Sequence, residues 1–188
     1  MVQLRQQIQA EYHYSDYQMQ QITYMFLSFL SETSKLIFMA AFFILIQKLP
    51  EFLVAVLALM SVRNFTGGIH LKHYSTCLLL SFSFFFLGIC VLPNLIRLDT
   101  LEMLLILNLC IIAVYLSGPV LSVYRPPLTE EQKKSNSLKA ATSILIYILI
   151  VFIFQKTSCL YAGFWVIVLQ TLQLGLAKIN LKMKGIKK

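Results

Sequence analysis

The stretch RNFTGGIHLKHYSTC, Arg63 to Cys77, lies between long apolar runs such as LIFMAAFFILI (36–46) and LLLSFSFFFLGICVL (78–92). Two glycines, two histidines, two basic residues and a cysteine fall within it. Whether a helix begins inside this stretch governs how many times the chain can cross a membrane. The run that follows, Leu78 to Leu92, is closed by Pro93 and reaches spanning length only if its helix starts upstream, inside this stretch. A crossing needs about twenty residues at a rise of about 1.5 Å each.

The rest of the chain bears the same character. Of 188 residues, 58% are hydrophobic and 13% charged, against about 45–50% apolar in a soluble globule. The expected class is an all-α integral membrane protein with about six transmembrane or membrane-embedded helices, forming one membrane-embedded domain over 1–188. The net charge of +8 does not indicate a nucleic-acid partner, because the basic residues lie in short segments between apolar runs and in a tail. Membrane lipids are the expected surroundings. The cysteines Cys77, Cys90, Cys110 and Cys159 are scattered, and no disulfide framework is implied.

Segment 1–21, MVQLRQQIQAEYHYSDYQMQQ, is polar and lacks the apolar core of a secretory signal, so no cleavage is expected. Its Leu4, Ile8, Tyr12, Met19 and the following Ile22 recur near helical spacing, which fits an amphipathic helix in the membrane interface and equally a solvated helix or frayed end. The membrane helices are expected over 22–177. Ile22–Gln47 is long enough to span although Glu32 and Lys35 interrupt it; three apart on a helix, they fit a structural ion pair. Leu49–Val62 has fourteen residues, which fits a short span, a tilted one extended to Thr66, or a re-entrant segment. Leu101–Ser117 forms a further span. After the polar loop 118–139, GPVLSVYRPPLTEEQKKSNSLK, come Ala140–Gln155 and Ser158–Ala177, read as an antiparallel hairpin. A basic tail, 178–188, ends the sequence.

With six crossings and the N-terminus inside, only Lys48, Arg97 and Lys156 fall outside and Lys35 falls in the first span, leaving twelve of the sixteen Lys and Arg on the cytoplasmic side. The motif, the central loop and the tail are therefore expected there. If Leu49–Val62 were re-entrant, the N-terminus would instead lie outside.

On a continuous helix His70, His73, Tyr74 and Cys77 share one face. A thiolate is favoured by a nearby imidazolium and by a helix N-terminus, here expected just after Gly67-Gly68. The imidazole would take the thiol proton, the sulfur would attack a carbonyl, and the imidazolium would protonate the leaving amine, as in a cysteine peptidase. Which histidine serves is left open by the spacing. Cys77 alone also fits a small membrane-facing hydrophobe, and either histidine an interfacial residue. A Zn²⁺ site from His70, His73 and Cys77 lacks an evident fourth ligand and a carboxylate to orient the imidazoles, so neither metal nor other cofactor is expected. Gly67-Gly68 fits a helix terminator or a point of close backbone approach. Phosphate-loop, dinucleotide, zinc-peptidase and serine-hydrolase signatures do not occur.

At these residues the chain resembles the accessory gene regulator protein B (AgrB) family, the membrane cysteine endopeptidases of Gram-positive quorum sensing. Carrying the likeness are Arg63, Gly67-Gly68, one residue, His70 and then Cys77 seven positions on, after a short apolar segment in a chain of this length. The loop YRPPLTEEQKKSNSLK (124–139) and the basic tail are similar too. The resemblance implies that His70 and Cys77 are catalytic, that Arg63 and Gly68 are needed for processing, and that His73 has no such place. It further implies an AgrD-like propeptide whose acidic C-terminal part is removed, leaving a thioester on Cys77 that a thiol or hydroxyl of the peptide attacks to close a macrocycle. Lys133 and Lys134 would steer the acidic tail, although ordinary positive-inside topology accounts for them somewhat better. The implied setting is the bacterial cell membrane with the active site on the cytoplasmic side, and a homodimer is compatible with it.

Two other classes stay open on the residues alone. A small multi-spanning transporter would use Asn108, Gln170 and Gln173 as a polar path, though these also fit interhelical hydrogen bonds. A non-catalytic membrane scaffold would need no Cys/His pairing.

Overall fold

The computed structural model describes residues 15–68, 74–120, 128–154 and 157–183. All regular structure among them is helical: α1 (Asp16–Leu45), α2 (Leu49–Thr66), α3 (Tyr74–Phe86), a π-helical turn (Leu87–Val91), α4 (Leu92–Leu95), α5 (Thr100–Ser117), α6 (Glu130–Phe154) and α7 (Ser158–Met183). Taking α3, the π turn and α4 as one rod, six helices among the described residues are long and apolar enough to cross a membrane. Large apolar side chains such as Leu57, Leu105, Leu109 and Ile153 stand exposed on them. In water such a surface would drive aggregation, whereas in lipid it carries no penalty.

Three helices start on reciprocal caps. Gln18 N–H donates to Ser15 Oγ while Ser15 N–H donates to Gln18 Oε1, opening α1. Thr129 and Gln132 repeat this at α6, and Asp99 with Glu102 at α5. Each satisfies backbone donors that a helix start leaves unpaired.

These caps move several expected boundaries. The first span starts at Asp16, not Ile22, so residues 16–21 continue into it and form no separate interfacial helix; residues 1–14 lie outside those described. More importantly, Glu130–Lys139 are the opening turns of α6 and not part of a loop. Lys133 and Lys134 therefore sit on a helix. At the other end α7 runs to Met183 and takes up the start of the expected tail.

The segment after Lys48 is a helix of 18 residues, about 27 Å long, which is of crossing length, so a re-entrant path is not required. Beyond the motif, the described helix begins at Tyr74, upstream of Leu78 as expected, but Pro93 does not end it. Leu92 N–H bonds to Leu87 O across five residues, and this wider turn lets Pro93 enter α4 in its first turn, where its missing N–H is not needed.

The chain comprises two compact units, Met1–Ala41 and Phe42–Lys188. In the first, Glu32 and Lys35 form the expected ion pair at 2.5 Å. In the second, α2 packs on α7 and α6, and α5 packs on α6 and α7. The shared core includes Ala58 and Val62, Leu107 and Val114, Ala140 and Ile144, and Phe164 and Ile167. Consequently α6 and α7 are not side-by-side partners of a hairpin; they face each other across the bundle. They meet where Tyr147 Oη donates to Leu160 O, beside Gly163, at which a Cβ would fall 2.4 Å from that hydroxyl. The rod from α3 to α4 packs on α7 at Gly88, where a Cβ would fall 2.8 Å from Val166 Cγ2. Its Phe85 ring meets Phe52 of α2 at 5.2 Å. That contact fixes α3 against α2, and with them Cys77 and Arg63.

Candidate active site

The last turn of α2 carries Arg63 and ends at Thr66, whose Oγ1 donates back to Val62 O. Gly67 follows at φ +73° and ψ −158°, a combination open essentially to glycine alone. Its N–H closes α2 on Arg63 O. Val120, just past α5, donates its N–H to Thr66 O, and a Cβ on Gly67 would lie 2.1 Å from Val120 O. From α7, the buried Gln170 donates Nε2 to Gly67 O at 3.0 Å. Further along α7, Lys178 Nζ donates to Leu116 O. The Gly-Gly turn is thus clamped between the ends of two helices and the flank of a third.

Gly68 has a different task. A Cβ there would lie 3.1 Å from Nε and 3.2 Å from Cζ of Arg63, so the bare backbone makes room for the guanidinium. Arg63 also lines a cleft together with Cys77, which lies in the first turn of the described α3 and is only 8% exposed. Leu59 of α2, Leu80, Ser81, Phe84 and Phe85 of α3, and Gln173 of α7 complete its lining. At about 20 Å³ it has room for a water molecule and not for a bound peptide, so a substrate would have to enter by displacing side chains.

The structure brings together Arg63, Gly68 and Cys77 of the residues singled out by sequence, with Gly67 holding the turn. His70 and His73 lie outside the described residues. Lys133 and Lys134 are not in the cleft lining: Lys133 pairs with Glu130 at 2.6 Å on the surface of α6, and Lys134 is exposed. Lys139, two turns further on, stands over the Phe65 ring at 6.0 Å. None of the four cysteines forms a disulfide.

The polar residues of the spans separate. Gln170 makes the expected interhelical bond, but Asn108 donates to Leu104 O of its own helix and stands exposed, so it joins no interhelical path. Ser81 and Gln173 in the cleft were not assigned there from sequence. The spacing of four from Cys77 placed Ser81 on the same helical face; nothing in the sequence tied Gln173 to a residue almost a hundred positions earlier.

Residues 2–174 match the family model described as Accessory gene regulator B. A putative AgrB-like protein of Clostridium beijerinckii is 30% identical over 131 residues, which cover 70% of this chain and 61% of that relative. The match thus spans somewhat under two thirds of the relative's length. No solved structure matches the chain.

Proposed function

The chain belongs to the accessory gene regulator B family, and from that premise we propose that it is a membrane-embedded cysteine endopeptidase that matures a small quorum-sensing propeptide. The observation that carries the reading is the common cleft of Cys77 and Arg63, with Gly68 against the guanidinium. These are positions to which the family resemblance assigns catalysis and processing.

In this mechanism His70 accepts the Sγ proton of Cys77, and the thiolate adds to the scissile carbonyl of an AgrD-like propeptide. When the tetrahedral adduct collapses, the C–N bond breaks and His70 returns the proton to the departing amine. The acidic C-terminal fragment leaves and the remainder stays as a thioester on Sγ. A thiol of the peptide, its proton taken up by the now neutral His70, then attacks the same carbonyl, and the ring closes as the C–S bond to Cys77 breaks and Cys77 leaves as the thiolate. One thioester replaces another, so no external energy source is needed provided water is kept away. A buried Cys77 in an apolar lining suits that requirement. Arg63 would bind a carbonyl or carboxylate of the substrate. Lys134, with Lys133 beside it, would draw the acidic tail to the cytoplasmic face of the bacterial membrane, a long-range attraction that salt weakens.

The experiment is mass-spectrometric trapping of the covalent propeptide intermediate on purified variants. Cys77→Ala and Cys77→Ser are expected to give neither intermediate nor cleavage, while Cys90→Ala, Cys110→Ala and Cys159→Ala remain close to wild type. His70→Ala should abolish the intermediate, and His73→Ala should slow it by no more than about tenfold, roughly 1.4 kcal/mol. Cleavage that survives in Cys77→Ala would overturn the mechanism, and the opposite ranking of the histidines would reverse their roles.

A further inference from the structure

Gln173 presents a buried Oε1 that accepts no hydrogen bond among the described residues, and its side chain lines the cleft beside Cys77 and Arg63. Buried polar atoms in folded proteins are nearly always paired, so an orphan at a cleft wall calls for an account. Relaxation of its helix does not supply one. Just before it, Gln170 is tied to Gly67 O; just after it, Leu174 and Ala177 are buried in the bundle; and Lys178 is tied to Leu116 O. The backbone that carries Gln173 is therefore held where it is.

Resting on the peptidase reading above, we propose that Gln173 is a substrate-positioning residue whose carboxamide pairs with the propeptide backbone next to the bond that Cys77 attacks. The chemistry is complementary. A peptide in extended form offers an N–H and a C=O at each residue, and a carboxamide offers one acceptor and two donor hydrogens. Oε1 would accept the substrate N–H that it now lacks, and Nε2 would donate to a neighbouring carbonyl. Most of the remaining lining is apolar, with Ser81 and Arg63 as the other polar side chains beside the thiol. Arg63 would bind a carbonyl or carboxylate but has no acceptor to offer. The Ser81 hydroxyl could also accept, but the Gln173 Oε1 is the buried acceptor of the lining left unpaired among the described residues, and its pairing is independent of substrate side chains, so it sets the register of the chain over Sγ.

The test uses the full-length protein in detergent or liposomes with the propeptide that the wild type cleaves. Gln173→Met keeps the length and removes both donor and acceptor. It is expected to raise KM at least tenfold, to leave the thermal midpoint unchanged or higher because an unpaired buried atom has been removed, and to leave the alkylation rate of Cys77 by iodoacetamide within twofold. A propeptide N-methylated at a residue flanking the scissile bond should lose a similar factor with the wild type and little more with Gln173→Met. Full activity of Gln173→Met overturns the proposal. So does a variant that fails to insert or melts lower with a slowed alkylation rate, since the amide would then support the fold, for instance through a bridging water. The two readings fail separately: an active Cys77→Ala defeats the peptidase itself, whereas an inactive Cys77→Ala beside a fully active Gln173→Met defeats only the role of Gln173.

Discussion

The guanidinium of Arg63 lies against the backbone of Gly68, where a Cβ would come within 3.1 Å of Nε and 3.3 Å of Nη2. That distance is tighter than ordinary contact but not prohibitive, because the opposing atoms end a flexible side chain. Alanine at 68 would shift the guanidinium within the cleft and leave the fold standing. Gly68→Ala is expected to slow propeptide cleavage about tenfold, roughly 1.4 kcal/mol, with a thermal midpoint near that of the wild type. Since the effect acts through Arg63, Arg63→Ala/Gly68→Ala should be no slower than Arg63→Ala alone in a double-mutant cycle. Rates that simply add would show that Gly68 acts by another route.

Gly67 sits one residue earlier and its substitution should do something else. Its φ of +73° with ψ of −158° disfavours any side chain, and the added Cβ would meet Val120 O, a backbone atom, at 2.1 Å. Neither side can yield without opening the junction between α2 and the end of α5. Gly67→Ala is therefore expected to cost about 3 kcal/mol or more of stability. Gln170→Leu, which leaves Gly67 O without its donor, should cost about 1–3 kcal/mol. Thermal unfolding in detergent measures both, and a Gly67→Ala protein as stable as the wild type would contradict the clamped turn.

The apolar runs made the helices legible, because in lipid a backbone must satisfy its own hydrogen bonds and a run of sufficient length has no other solution. Their starts were less legible where hydropathy was the guide. Ser15 and Gln18, Thr129 and Gln132, and Asp99 and Glu102 are capping boxes readable from spacing, and the second pair moves the beginning of the α6 helix from Ala140 to Glu130. Pro93 misled because its cost depends on the hydrogen bond it deletes, and a π turn had already altered that ladder. The association of Arg63, Gly68 and Cys77 was reached through family likeness, since composition and period cannot report contact between α2 and α3. The place of Gln173 beside Cys77 is illegible for the same reason: it lies in a cleft made by three helices.

The two ends of the bundle differ in the contacts that close them and in their charge. Thr66 and Gly67 join Val120, Lys178 reaches Leu116 O, and Lys139 stands over Phe65, so the ends of α2 and α5, the start of α6 and the later part of α7 share one end. The opposite end is marked by Ser158 Oγ donating to Glu51 and by Tyr161 Oη, which donates to Ile96 O and accepts from Leu98 N–H. The first end carries Arg63, Lys133, Lys134, Lys139 and Lys178, and the second carries Lys48 and Arg97, so the positive-inside bias predicts that the Cys77 end faces the cytoplasm. Lys134 and Arg97 are both exposed and mark the two ends. In a background lacking the four native cysteines, Arg97→Cys should react with an impermeant maleimide applied to intact cells and Lys134→Cys should not, with the pattern reversed in inverted vesicles. Labelling of both from outside would show that the membrane does not separate the two ends. Labelling of Lys134→Cys alone would place the Cys77 cleft at the outer face, where the peptide would have to be processed after crossing.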